Sequence, residues 1–128
     1  MTWTHGTFYW NELMTHDSEL ARRFYHHTIG WTFDAMPMPG GGTYWIAKVG
    51  GDRPAGGIFE MKDPHFKNIP EHWLAYIAVD DVDKRVAMAL EQGATAIRMP
   101  FDIEGVGRIA ILHEPGNAAI GMITPVSR

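Results

Sequence analysis

From Phe8 to Met14 the chain reads FYWNELM, a run of aromatic and aliphatic side chains interrupted by Asn11 and a single carboxylate, Glu12. That composition predicts a strand. The period then lengthens: Ala21, Phe24, Tyr25 and Thr28 recur at helical spacing. Asp17 or Ser18 can accept the free amides of a first turn, Glu19 suits the positive end of the helix dipole, and Gly30 supplies a left-handed stop. The spacing predicts a helix that packs Ala21, Phe24, Tyr25 and Thr28 on a sheet and turns Arg22, Arg23, His26 and His27 toward water. Three strand-like runs follow at Trp31–Met36, Thr43–Val49 and Ala55–Met61. The loop MPMPGGG and a tight turn at 50–54 separate them. Residues 62–72 carry two prolines and no sustained period, and read as a linker.

The same order then returns. Trp73–Val79 is an apolar run, Asp80 and Asp81 offer a second cap, and Val82, Val86, Ala89, Leu90 and Gly93 repeat the packed face and the glycine stop. Laying Asp81 over Asp17 brings Met88 over Phe24 and Gly93 within one position of Gly30. Ala96–Met99, Gly107–His113 and Ala118–Thr124 complete the copy, separated by PFDIEGV and the turn EPGN. The expected fold is α+β: two tandem βαβββ modules, residues 8–61 and 73–124 of a single domain 1–128, forming a curved mixed sheet around a cavity. The duplication carries this expectation, because a module this short cannot bury both faces of its sheet alone.

Composition narrows the function. A chain of 128 residues is one domain's worth and buries roughly two-thirds of its unfolded surface, enough for a core without staples. It has no cysteine, which excludes disulfides, thiol catalysis and thiolate metal sites. No basic, apolar leader opens the chain and no apolar run is long enough for a bilayer, so a cytoplasmic protein is expected. The net charge is −4, with cations scattered, which disfavours nucleic acid and anionic membranes as partners. No serine or threonine has a nucleophile's context, and Gly40–Gly42 lack the strand-to-helix setting of a phosphate loop. Adjacent His26 and His27 point about 100° apart on a helix and cannot share an ion. His5, His16 and His113 read as structural or exposed.

The duplicated module, the openings ELMTHDSELARRFYHHTIGW and VDDVDKRVAMALEQGA, and the HEPGN turn resemble the vicinal oxygen chelate superfamily. That superfamily holds glyoxalase I, the bleomycin-resistance proteins and the extradiol dioxygenases, and the second half of this chain is most similar to glyoxalase-like members of unassigned chemistry. The likeness is specific for fold and unspecific for reaction. In metal-dependent members one ligand comes from the first strand and one from the last strand of each module. Carried over by the helix caps, these positions fall at Trp10 and Glu60 in module one and at Leu74 and Gly121 in module two. Only Glu60 is a metal-binding type, whereas a divalent ion is generally held by three or more protein donors. The resemblance therefore implies an incomplete metal site and no resident cofactor.

The alternative is a displaced set. Glu12 shares a strand face with Trp10, and His72 with Leu74. If the two opening strands run antiparallel, Glu12, Glu60 and His72 converge as a His/Glu/Glu site suited to zinc, manganese or iron.

Two functional readings follow. In the first, a cavity binds a small aromatic or oxygenated organic molecule without chemistry, through Trp10, Glu12, Glu60, Leu74, Tyr76 and Arg108. Parity adds either Tyr44, Ile46 and Lys48 or Trp45 and Ala47 to that face. In the second, a glyoxalase-type lyase, isomerase or dioxygenase uses the displaced metal, with Glu12 or Glu60 as ligand or general base. Arg108 is expected to pair with Glu60 or a ligand carboxylate, or to stand exposed on an edge strand. A homodimer is implied by the resemblance alone.

Overall fold

The computed structural model describes residues 3–126, so the first two and last two residues of the expected domain lie outside the described residues. Module one runs β1 (Phe8–Thr15), α1 (Ser18–Ile29), β2 (Thr32–Pro37), β3 (Thr43–Val49) and β4 (Arg53–Glu60). Its strand order is β2-β3-β4-β1, with β1 parallel to β4 and the other pairs antiparallel. Module two runs β5 (His72–Ala78), α2 (Val82–Glu91), β6 (Thr95–Ile103), β7 (Gly107–His113) and β8 (Ala119–Pro125). Its order is β5-β8-β7-β6, with β5 parallel to β8. The α+β class and the two βαβββ modules are therefore as expected. The connecting residues hold one short 3-10 helix, Pro64–Phe66.

The caps explain where the helices start. Asp17 and Asp81 both have extended backbone, and their carboxylates accept the amides of Leu20 and Lys84 at 3.0 and 3.1 Å. Gly30 ends α1 at φ 81°, a left-handed conformation that a Cβ would strain. Gln92 caps α2, one residue before Gly93 at φ 98°.

The packed face of α1 differs from the one the spacing predicts. Ser18 is buried and Ala21, Arg22 and Tyr25 are half-buried, while Phe24 and Thr28 are exposed. The cause is Arg22, whose guanidinium lies 3.7 Å from the centre of the Trp45 ring on β3. A cation whose stem covers an aromatic face competes well for an inward position. Residues 100–103, which open the stretch PFDIEGV expected to separate two strands, belong to β6, the terminal strand of its sheet, where the missing amide donor of Pro100 is tolerated.

The chain divides into two compact units, one of Trp10–Trp73 and the other of Met1–Tyr9 with Leu74–Arg128. Phe8 and Tyr9, the first residues of β1, are thus grouped with the unit that contains Leu74 onward. Gly6 donates to the Ala78 carbonyl at 2.7 Å, Ala78 donates to Thr7 at 2.9 Å, and the Asp80 amide donates to His5 Nδ1 at 2.9 Å. The core beneath α2 is formed by Val79, Val82, Val86, Ala110 and Leu112, with Ile77, Ala89, Ile120 and Met122 around it. Among the described residues no helix is long and apolar enough to cross a membrane.

Candidate functional site

Strand parity separates the side chains of module one into two sets. Glu12 pairs with Gly57 and Ile46 also pairs with Gly57, so Glu12, Ile46 and Gly57 share a face with Trp10 and Tyr44. Leu13 pairs with Ile58 and Trp45 with Ile58, so these share the opposite face with Ala47, Thr15 and Glu60. Helix α1 covers the second set, through Arg22 on Trp45 and Ser18 on Glu60. Of the two alternatives for β3, the Tyr44 set is the one that lies with Trp10 and Glu12.

On that face three side chains form a relay. Trp10 Nε1 donates to the Tyr44 hydroxyl at 2.9 Å, and the same hydroxyl donates to Glu12 Oε1 at 2.8 Å. All three are half-buried, where a hydrogen bond is stronger than in open water and an unmet polar group is costly. The tyrosine reaches across because β4 has no side chain in its way: a Cβ on Gly57 would overlap the Tyr44 hydroxyl and the end of its ring. An indole, a phenol and an oriented carboxylate together can stack a flat molecule and accept a proton or hydrogen bond from it.

Glu60 does something else. Its Oε1 accepts from the Ser18 amide at 3.0 Å and from the Ser18 hydroxyl at 2.5 Å, and Lys62 Nζ lies 3.2 Å from Oε2. Burial pushes the carboxyl upward, but the two Ser18 bonds and the Lys62 ammonium outweigh it and hold the group below its ordinary value of 4.5. An anion at the first amide of α1 also meets the positive end of the helix. Glu60 is thus a structural anion on the helix side of the sheet, facing away from Glu12. His72 Nδ1 contacts the Pro70 carbonyl at 2.8 Å. Glu12, Glu60 and His72 do not form the displaced set, and among the described residues no group of three or more His, Asp or Glu side chains could hold a metal ion.

Module two repeats the glycine but not the carboxylate. Tyr76 pairs with Gly121, and the interval from Glu12 to Tyr76 and from Gly57 to Gly121 equals that between the caps Asp17 and Asp81. Gly57, not Glu60, is therefore the register counterpart of Gly121; three residues of slippage separated the two assignments. A Cβ on Gly121 would overlap the Tyr76 ring. Both glycines thus lie under a tyrosine, on the face away from their module's helix. The last-strand positions Gly57 and Gly121 carry no side-chain donor, and the first-strand positions are Trp10 and Leu74, so none of the four is a residue type that ligates a divalent ion.

Leu74 and Tyr76 are buried, at 1% and 4% exposure, and read as core beside Gly121. Arg108 is removed from the ligand face. It lies on β7, which is interior between β8 and β6 and no edge strand, and shares the α2 side with Ala110. Its guanidinium forks onto Asp83 of α2 at 2.7 and 3.0 Å and reaches Asp102 of β6 at 3.1 Å. Sequence reasoning named Trp10 and Glu12 but not Tyr44 as their bridge. The signal available was Gly57, a glycine inside a strand, which marks a close approach by another group.

Residues 7–121 match the family model of the Glyoxalase/Bleomycin resistance protein/Dioxygenase superfamily. "Putative glyoxylase CFP32" of Mycobacterium tuberculosis is 39% identical over 120 residues, covering 94% of this chain and 44% of that protein. "Anthracycline biosynthesis protein DnrV" of Streptomyces peucetius is 27% identical over 123 residues, covering 88% of this chain and 45% of that protein. The chain therefore spans less than half the length of these curated relatives. Among solved structures, methylmalonyl-CoA epimerase from Mycobacterium tuberculosis superposes with a TM-score of 0.66 at 16% identity, over 99% of this chain and 94% of that one. At that identity the likeness concerns the fold alone.

Proposed function

Because the chain belongs to the glyoxalase/bleomycin resistance protein/dioxygenase superfamily, we propose that it binds a small aromatic or oxygenated organic molecule without a metal, on the Trp10, Glu12 and Tyr44 face of module one. One observation carries this reading: the Tyr44 hydroxyl bridges Trp10 Nε1 and Glu12 Oε1 above Gly57. The Trp10 indole stands at the first-strand position from which, by resemblance, metal-dependent relatives take a ligand. The ligand chemistry that matches is a flat, hydroxylated ring system, which stacks on the indole or phenol and donates to Glu12. A relative named for anthracycline biosynthesis makes a hydroxyanthraquinone a reasonable first probe. Homodimerisation, implied by family likeness, belongs to the same reading and is read by light scattering.

The experiment is a titration of the purified chain with a hydroxyanthraquinone, followed by tryptophan fluorescence. Saturable quenching is expected, with Tyr44→Phe and Glu12→Gln each weakening affinity by about tenfold, the effect of one lost hydrogen bond of roughly 1–1.5 kcal/mol. Quenching that does not saturate, or that is unchanged in both variants, overturns the site. Stoichiometric zinc, manganese or iron retained after loading and dialysis overturns the metal-free part.

A further inference from the structure

Helix α1 turns a second aromatic surface away from this relay. Leu20 and Phe24, one helical turn apart on the same side of α1, are each 58% exposed. A groove of about 460 Å³ lies along the helix, with Leu13 in its floor and Leu20, Ala21, Phe24 and Tyr25 in its walls. That volume is within the range of small-molecule sites, about 300–1,000 Å³.

The aromatic wall is fixed before any ligand arrives. Tyr25 stacks on Trp31 at 5.1 Å and 29°, and meets Phe24 and Trp73 edge-on at 5.0 and 5.7 Å. Its hydroxyl accepts from Trp73 Nε1 at 3.1 Å. Rings held this way lose little freedom on binding.

The groove is also acidic. Asp17 and Glu71 line it with Thr15, and no lysine, arginine or histidine is among its described lining residues. Asp17 Oδ1 is spent on the Leu20 amide. Glu71 Oε2 accepts from the His16 amide at 3.1 Å, and this bond holds the Glu71 carboxyl below its ordinary value, so it is an anion at neutral pH. An anionic ligand would be repelled, and a neutral apolar one would cover carboxylates without pairing them. A cation on an apolar body satisfies both halves: its charge meets the carboxylates and ring faces, and its body covers Leu20 and Phe24.

We propose that the groove along α1 is a binding site for a small organic ammonium ion with an apolar body, separate from the Trp10, Tyr44 and Glu12 face.

The test compares 2-phenylethylammonium with 3-phenylpropionate, which has a similar body and the opposite charge, by amide chemical-shift titration of the full chain. Saturable shifts at Leu20, Ala21, Phe24, Tyr25 and Glu71 are expected with the ammonium ion, and affinity for the carboxylate is expected to be lower by at least about fivefold. Glu71→Gln should weaken the ammonium ion about three- to tenfold. Asp52→Asn, which removes the same charge from an aspartate that is 99% exposed beside Lys48, should change affinity by less than about twofold. Equal affinity for the two probes, shifts that do not saturate, or a Glu71→Gln chain that binds like the wild type overturns the proposal. The relay is read separately by the anthraquinone titration, so failure at one face leaves the other standing.

Discussion

Tyr44 lies across the bare backbone of Gly57, so that its hydroxyl reaches both Trp10 on β1 and Glu12 two residues further along. The same pairing of rings and glycine recurs at Tyr76 and Gly121. A strand glycine is ordinarily a weakness, since it packs nothing and costs entropy. Here each one is the space that a ring fills.

Adding a methyl group to either glycine forces its ring to move. Gly121→Ala should cost about 2–3 kcal/mol, because Tyr76 is buried with no room to yield, and Gly57→Ala should cost less, about 1–2 kcal/mol, because half-buried Tyr44 can swing outward. Urea unfolding of the two variants ranks them; equal costs would mean that the rings do not differ in freedom.

Removing the hydroxyl of Tyr44 breaks both bonds of the relay at once. Tyr44→Phe is expected to lose about 1–2 kcal/mol of stability, since the Trp10 N–H and Glu12 carboxylate then lack that partner in a half-buried setting. Tryptophan emission, read alongside the unfolding curve, should shift with it.

Glu60→Gln removes the anion at the start of α1 and is expected to cost about 1–2 kcal/mol at neutral pH. The sign of the pH dependence follows from the lowered pKa. Folding holds the carboxyl below its ordinary 4.5, so its contribution is complete above that value and is lost as pH falls through the lower, folded one. Wild type and Glu60→Gln should therefore converge in stability as the solution is acidified below about pH 4.5. A gap that stays constant down to pH 3 would assign the Glu60 effect to packing.

Arg108 should matter for stability and not for ligand. Its guanidinium is tied to Asp83 first and to Asp102 second, and these bonds raise its pKa above the ordinary arginine value. Arg108→Ala should lower the melting temperature, less so at high salt because the ion pairs are exposed. Hydroxyanthraquinone affinity should be unchanged. A weaker affinity would place Arg108 back on the ligand face.

Much of this fold was legible in the sequence because local rules set it. Asp17 and Asp81 start helices where they sit, Gly30 stops one, and alternating apolar runs give the strands. Duplication then supplied the two βαβββ modules without any knowledge of contacts. Parity along β1 placed Trp10 and Glu12 on one face correctly, since it depends only on the period of two.

What the sequence could not decide is register and competition for space. Glu60 looked like a companion of Glu12 because strand positions slip easily by a residue or more, and one residue of slip exchanges faces. Only the pairing of Glu12 with Gly57 and of Thr15 with Glu60 put the two carboxylates on opposite sides of the sheet. Likewise, helical spacing named Phe24 as packed and Arg22 as solvated, whereas the Trp45 ring holds Arg22 half-buried and Phe24 is exposed. Periodicity by itself fixed the elements and their number. Tertiary structure alone decided which side chains share a face, because that depends on hydrogen-bonded partners distant in the chain.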